Sequence, residues 1–186
     1  MEKQPNTDAY LWQIKSVLNV DGNIAECGVY KGHNSFHYAT LLKEVPDKIL
    51  FEFDTFCGFP KDSEDDVDLN RFDDTSLQEV TTLLSPFPNV VIHPGKFEDT
   101  LPIVKSENFC CVILDCDLYE SYITCLDFFY PRMADGGIII LDEYYSKKYP
   151  RARVAVDEFC MGIPDKPQMF WLEDNKWERW MIKRTP

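Results

Sequence analysis

The chain has no uninterrupted apolar run of the roughly 18 residues that a membrane span needs, and its opening stretch "MEKQPNTDAY" lacks the apolar core of a secretory leader, so neither a membrane role nor export is expected. Positive charge is scarce: 19 Lys and Arg stand against 32 Asp and Glu, for a net charge of −13. A surface of that sign does not neutralise phosphates, which argues against nucleic acid as a partner. The seven cysteines include no CxxC pair and most lie in apolar, strand-like settings such as "FCCVILDC". Neither a disulfide framework nor a zinc site follows from that spacing, and the expectation is buried, reduced thiols in a cytoplasmic protein. Histidine is sparse too; His33, His37 and His93 are expected at the surface or behind a site rather than in catalysis. No internal repeat is visible, and nothing divides the 186 residues, so a single domain over 1–186 is expected.

What the chain does have is alternation. "TDAYLWQIKSVL" carries apolar residues at helical spacing behind Thr7, a residue type that caps helices, which places an N-terminal helix within residues 1–20. Strands are predicted at "NIAEC", "KILFEFD", "NVVIH", "FCCVILD" and "GGIIILD". Helices are predicted at "HNSFHYATLLKEV", "TSLQEVTTLLS", "EDTLPIVKS", "YESYITCLDFFYPRM" and "PRARVAVDEFCMG". The middle strands are apolar on both faces and must be covered on both, which predicts an α/β fold with a doubly wound, mostly parallel sheet. "QMFWL", the turn "EDNK" and "WERWMIKR" predict an antiparallel hairpin at the edge, packed by Trp171, Trp177 and Trp180. Residues 55–76 are turn-rich and acidic and predict a long loop, a candidate lid.

Ligands of such sheets bind outside the carboxyl ends of the strands. Here those ends carry acids: Glu26, Asp54, Asp115 with Asp117, and Asp142 with Glu143. In the first turn, "ECGVYKG", Gly28 and Gly32 allow a close backbone approach, but the pattern is not the G-x-G-x-x-G of dinucleotide sites. A pyrophosphate wants backbone N–H groups and no carboxylate nearby. Glu26 would repel it and would attract a cationic ammonium, such as that of S-adenosylmethionine. An ionised Asp54 then suits a ribose diol.

The blocks "AECGVYKGHNS", "FDTFCGFP", "FEDTLP", "LDCDLYES", "GGIIILDEY" and "ARVAVDEF" occur in the order found in the macrocin-type O-methyltransferases, and the chain resembles that family from about residue 7 onward. Its members are metal-dependent enzymes that methylate sugar hydroxyls of macrolide and aminocoumarin antibiotics. The resemblance implies a class I S-adenosylmethionine fold with a seven-stranded sheet. It also implies that Glu26, Tyr30 and the backbone at Gly28 border the methionine end, with Asn34 at its carboxylate. Asp54 would take the ribose, and Phe97 and Glu98 would border the adenine.

Three carboxylates on neighbouring strand ends, Asp115, Asp142 and Glu143, would repel one another unless a divalent ion lay between them, and hard oxygen ligands favour Mg²⁺. By resemblance Asp115 is both ligand and general base, with Asp117 in reserve. The family usually shows two aspartates where this chain has Asp142-Glu143, and the lysine base of the related catechol enzyme has no counterpart in "DCDLY". The expected partner is a small-molecule acceptor, a sugar or glycoside, with homo-oligomerisation left open. A nicotinamide-dependent oxidoreductase and a cofactor-binding protein without catalysis are the competing classes.

Overall fold

The computed structural model describes residues 7–171 and 178–186. The predicted turn "EDNK" and Trp177 lie outside the described residues, as does the side chain of Trp171. Seven strands form one sheet: β1 (Asn23–Cys27), β2 (Leu50–Asp54), β3 (Val90–Pro94), β4 (Phe109–Leu114), β5 (Met133–Leu141), β6 (Pro167–Trp171) and β7 (Glu178–Lys183). Their order is β3-β2-β1-β4-β5-β7-β6, and every neighbouring pair is parallel except the two that involve β7. The doubly wound sheet is as expected. The C-terminal hairpin lies at one edge as expected, with β7 paired to β5 and β6 outermost.

Among the described residues, six α-helices cover the sheet: α1 (Thr7–Ser16), α2 (His33–Leu41), α3 (Leu77–Leu84), α4 (Phe97–Thr100), α5 (Tyr119–Phe129) and α6 (Pro150–Met161). Tyr10, Ile14, Tyr38, Val80 and Leu84 bring α1, α2 and α3 onto one face, over Ile24, Leu50, Ile113 and Ile140. Leu126, Phe129, Ala152 and Val156 bring α5 and α6 onto the other, over Ala25, Phe53, Val112 and Leu114. All six residues of β4 are buried, as befits a strand covered on both sides.

Several boundaries have local causes. Ser76 caps α3 by accepting from the Glu79 N–H, and the spacing Ser76-x-x-Glu79 is that of a capping box. Pro150 opens α6, where its missing N–H costs nothing. The expected helices over 33–45, 98–106 and 119–133 are shorter, and each tightens into a 3₁₀ turn at its end. Met133, read as the end of a helix, starts β5. Thr7 lies within α1, and its hydroxyl donates to Asn34 Oδ1 at 2.7 Å.

The switch point falls between β1 and β4, whose following chains run to opposite faces. Gly28 stands there at φ +98°, and a Cβ on it would lie 1.8 Å from the Asp115 carbonyl oxygen. Its close approach is therefore to the backbone after β4. Gly32 (φ +72°) opens α2 and would meet only the side chains of Val80 and Leu83 on α3, at 3.3 Å. Gly28→Ala combines a left-handed backbone with overlap on main chain and should cost roughly 3–5 kcal/mol. Gly32→Ala should cost about 1–2 kcal/mol. Urea unfolding of the two variants checks the ranking, and equal losses would contradict it.

Candidate active site

The carboxyl ends of β1, β2, β4 and β5 open into one cavity of about 630 Å³. Its wall contains the residues expected from the sequence to serve the cofactor, a metal or catalysis: Glu26, Gly28, Tyr30, Asn34, Asp54, Phe97, Glu98, Asp115, Asp117, Asp142 and Glu143. The segment 55–76 has no helix or strand and forms one side of the cavity through Phe59, Asp62, Ser63 and Phe72.

At the β1 end, Glu26 is 1 % exposed, and Ser35 of α2 donates to its Oε2 at 2.5 Å. Burial pushes its carboxyl up to about 7, opposed by hydrogen bonds from its neighbours. Asn34 stands in the first turn of α2, whose N-terminus has no side-chain cap. Asp54 accepts the N–H groups of Val29 and Tyr30 on Oδ2, both at 2.8 Å, and that of Phe56 on Oδ1 at 2.7 Å. Thr55 Oγ1 lies a further 3.5 Å from Oδ1 with its proton on the Gly58 carbonyl at 2.8 Å, so of the roughly four acceptor positions of a carboxylate about one remains open to a ligand. Those three bonds also tie the β1–α2 turn to the end of β2. Phe97 is half-buried against the core, while Glu98 sits exposed at the rim with Lys96 at 3.9 Å.

The loop closes on this end by ion pairs. Asp74 accepts from the Tyr30 hydroxyl and from Lys31, both at 2.6 Å, and Asp62 pairs with Lys96 at 3.1 Å. Asp65 is buried, accepts the Tyr119 N–H at 2.7 Å and pairs with Arg151 at 3.0 Å. Tyr30, Phe72, Phe59 and Tyr149 contact one another edge to face in sequence. Three of the four non-glycine residues with positive φ, Tyr30, Phe72 and Asp117, line the cavity, which is where backbone strain tends to be kept.

At the β4 and β5 ends, Asp115, Asp142 and Glu143 each offer a carboxylate oxygen, all within 4.8 Å of one another. Burial, with the charges of Asp142, Asp117 and Glu26, holds Asp115 well above the usual carboxylate range; Glu143 is raised for the same reasons. Asp117 is pushed up to about 8, chiefly by burial. A cation placed among these oxygens would remove the repulsion, and the donor set is one that fits a hard divalent ion.

Sequence reasoning missed the groups that orient this cluster. Tyr10 of α1 donates its hydroxyl to Asp142, and Arg179 of β7 lies 3.6 Å from the same Oδ1. The Tyr122 hydroxyl of α5 lies 2.7 Å from Glu143 Oε2 and receives the Glu143 N–H at 3.2 Å. These contacts join residues up to 132 positions apart, and no local spacing could signal them. His33 lines the cavity, whereas His93 stacks on Phe53 at 5.0 Å. All seven cysteines are free thiols, and only Cys57 is exposed.

The family model described as Macrocin-O-methyltransferase (TylF) matches residues 11–164. The chain is 31% identical over 174 residues to a mycinamicin III 3''-O-methyltransferase of Micromonospora griseorubida, covering 82% of this chain and 67% of that protein. It is 30% identical over 156 residues to a demethyldecarbamoylnovobiocin O-methyltransferase of Streptomyces niveus, covering 76% and 59%. Among solved structures it matches the O-methyltransferase NovP with a TM-score of 0.78 and 27% identity, covering 97% of this chain and 78% of that one. The chain thus spans 59 to 67% of the length of these two curated relatives.

Glu26 also makes stability depend on pH. Its folded midpoint of about 7 lies above its ordinary 4.5, so between those values the folded state holds more protons than the unfolded one. Stability should therefore fall as pH rises through that window. Glu26→Gln should remove this slope, so its advantage in Tm over the native chain should grow from acid to neutral pH. Thermal unfolding across the window reads the difference, and parallel curves would refute it.

Proposed function

The chain belongs to the macrocin O-methyltransferase family, and from that membership we propose an S-adenosylmethionine-dependent O-methyltransferase acting on a hydroxyl of a sugar or sugar-bearing small molecule. The observation that carries this reading is the composition of the cavity, with a desolvated Glu26 at one end and three converging carboxylates at the other. A buried anion beside the first turn favours a ligand with an ammonium and opposes a dinucleotide's pyrophosphate. This disfavours the nicotinamide alternative.

The cofactor, when bound, supplies an electrophilic methyl on its sulfonium. Glu26 receives the ammonium, and the uncapped first turn of α2 with Asn34 offers donors to the carboxylate. Asp54 takes a ribose hydroxyl through its open acceptor position, and Phe97 and Glu98 border the adenine. Asp115, Asp142 and Glu143 are the residues that would hold Mg²⁺, which when bound polarises an acceptor hydroxyl and lowers its pKa. Asp115 then takes the hydroxyl proton, with Asp117, two residues on, in reserve. Tyr10 and Arg179 fix one oxygen of Asp142 and Tyr122 fixes one of Glu143, which orients the remaining oxygens toward the cavity. The apolar faces of Phe59, Phe72 and Tyr149 supply a wall for the acceptor, and the loop over 55–76 acts as its lid.

Calorimetric titration of S-adenosylhomocysteine and of NAD, with and without Mg²⁺, should show binding of the first alone. Binding of NAD alone would end the methyltransferase reading. Asp115→Asn should lower methyl transfer by at least about 10³-fold while changing S-adenosylhomocysteine affinity by less than about threefold, and chelation should abolish transfer in the native enzyme. Unimpaired turnover in the variant would remove the role given to Asp115. For the lid, Asp65→Ala breaks the Arg151 pair and the bond from Tyr119 N–H. It should raise KM for the acceptor several-fold with little change in cofactor affinity, and an unchanged KM would argue for a fixed wall.

A further inference from the structure

Glu52 has no part in the chemistry above, yet it is 0 % exposed in the middle of an apolar strand. It stands directly across from Glu26 in the β1–β2 register, on the sheet face that also carries Leu50, Ile24 and Ile113. The register sets the two buried carboxyls side by side, and the charge of Glu26 acts on Glu52. Neither oxygen of Glu52 receives an N–H or hydroxyl proton. Ser35 gives its single hydroxyl proton to Glu26 Oε2. Glu26 lines the cavity, and Glu52 lies behind it, outside the lining.

We infer that Glu52 is a neutral carboxylic acid that donates its proton to Glu26, so that one shared negative charge is held on the cavity-facing member and aimed at the cofactor's ammonium. Two carboxylates in contact inside a low-dielectric core cannot both be ionised, and such a pair keeps one proton between them. The location of that proton follows from the donors. Glu26 has Ser35 to stabilise a charge, while neither oxygen of Glu52 has a donor. The other groups acting on the pair add to the repulsion or are neutral: Asp54 at the end of β2, Asp115 after β4, and the buried Tyr38 hydroxyl of α2. Burial and the neighbouring Glu26 hold the Glu52 carboxyl well above its ordinary range, in agreement with this placement. Glu52 is thus a positioning residue. It touches no ligand and acts by keeping Glu26 ionised and fixed.

The proton's location stands on the unliganded protein alone, while its consequence for the ammonium rests on the methyltransferase reading, and two measurements separate them. Infrared spectra above the Glu26 midpoint of about 7 should show the carbonyl stretch of un-ionised carboxylic acids, to which Asp115, Asp117 and Glu143 also contribute, and a difference spectrum against Glu52→Gln should show the loss of one carboxyl's share of that band. No loss of that band would overturn the proton assignment. Calorimetry with S-adenosylhomocysteine across pH reads the consequence. Glu52→Gln keeps a donor to Glu26 and should leave affinity within about twofold and the pH midpoint in place. Glu52→Leu keeps the volume and removes the donor; it should move the midpoint upward and lower affinity near pH 7 by about tenfold, the worth of one hydrogen bond to a charged group. Loss of binding in Glu52→Gln as large as in Glu26→Gln would mean that Glu52 itself carries the charge, and an unmoved midpoint in Glu52→Leu would mean that it does not act on Glu26. If the native chain binds no S-adenosylhomocysteine, the functional reading fails, and the infrared result still decides where the proton sits.

Discussion

A carboxylate stripped of water at the end of β1 organises the rest of this site. Glu26 keeps one hydrogen bond from Ser35 and meets a second acid, Glu52, on its other side. Most folds remove such an arrangement, because desolvating a charge costs several kcal/mol unless something compensates it. Here the compensation is divided between a serine at the start of α2, a carboxyl that retains its proton, and a cavity into which a cation can be drawn. The same logic recurs across the switch point, where Asp115, Asp142 and Glu143 crowd one another and are held by Tyr10, Arg179 and Tyr122. The cavity is therefore a place where repulsion has been concentrated, and stability has been given up for binding.

Backbone packing brings the two acidic ends together. Gly28 lets the turn after β1 lie against the carbonyl of Asp115, so the residue after β4 is set beside the first turn. The three amide bonds to Asp54 then lock that turn to β2. A glycine that reads in sequence as room for a ligand is thus first of all room for the neighbouring strand. Only Gly32, which meets side chains of α3, has the looser requirement.

Much of the molecule was legible in its pattern. Uninterrupted apolar strands such as "FCCVIL" could only be central, and the acids closing them marked the edge at which a ligand would sit. Local spacing misjudged helix ends over 33–45 and 119–133, because a last turn in 3₁₀ form has the same composition as the helix before it. Glu52 gave a signal that was passed over: an acid flanked by Phe51 and Phe53 in a buried strand is an exception that needs a partner.

The sequence by itself determined the sheet, its two covered faces and the row of carboxylates along its upper edge, because each of these follows from a periodicity of two or of 3.6 and from the chemistry of single positions. The tertiary structure alone decided how those acids are neutralised. Arg179 reaches Asp142 from the antiparallel strand β7, Tyr10 reaches it from the first helix, and Glu52 meets Glu26 only through the β1–β2 register. Charges act over a few ångströms of space whatever their separation along the chain, so which partner each acid finds is settled only when the strands are laid side by side.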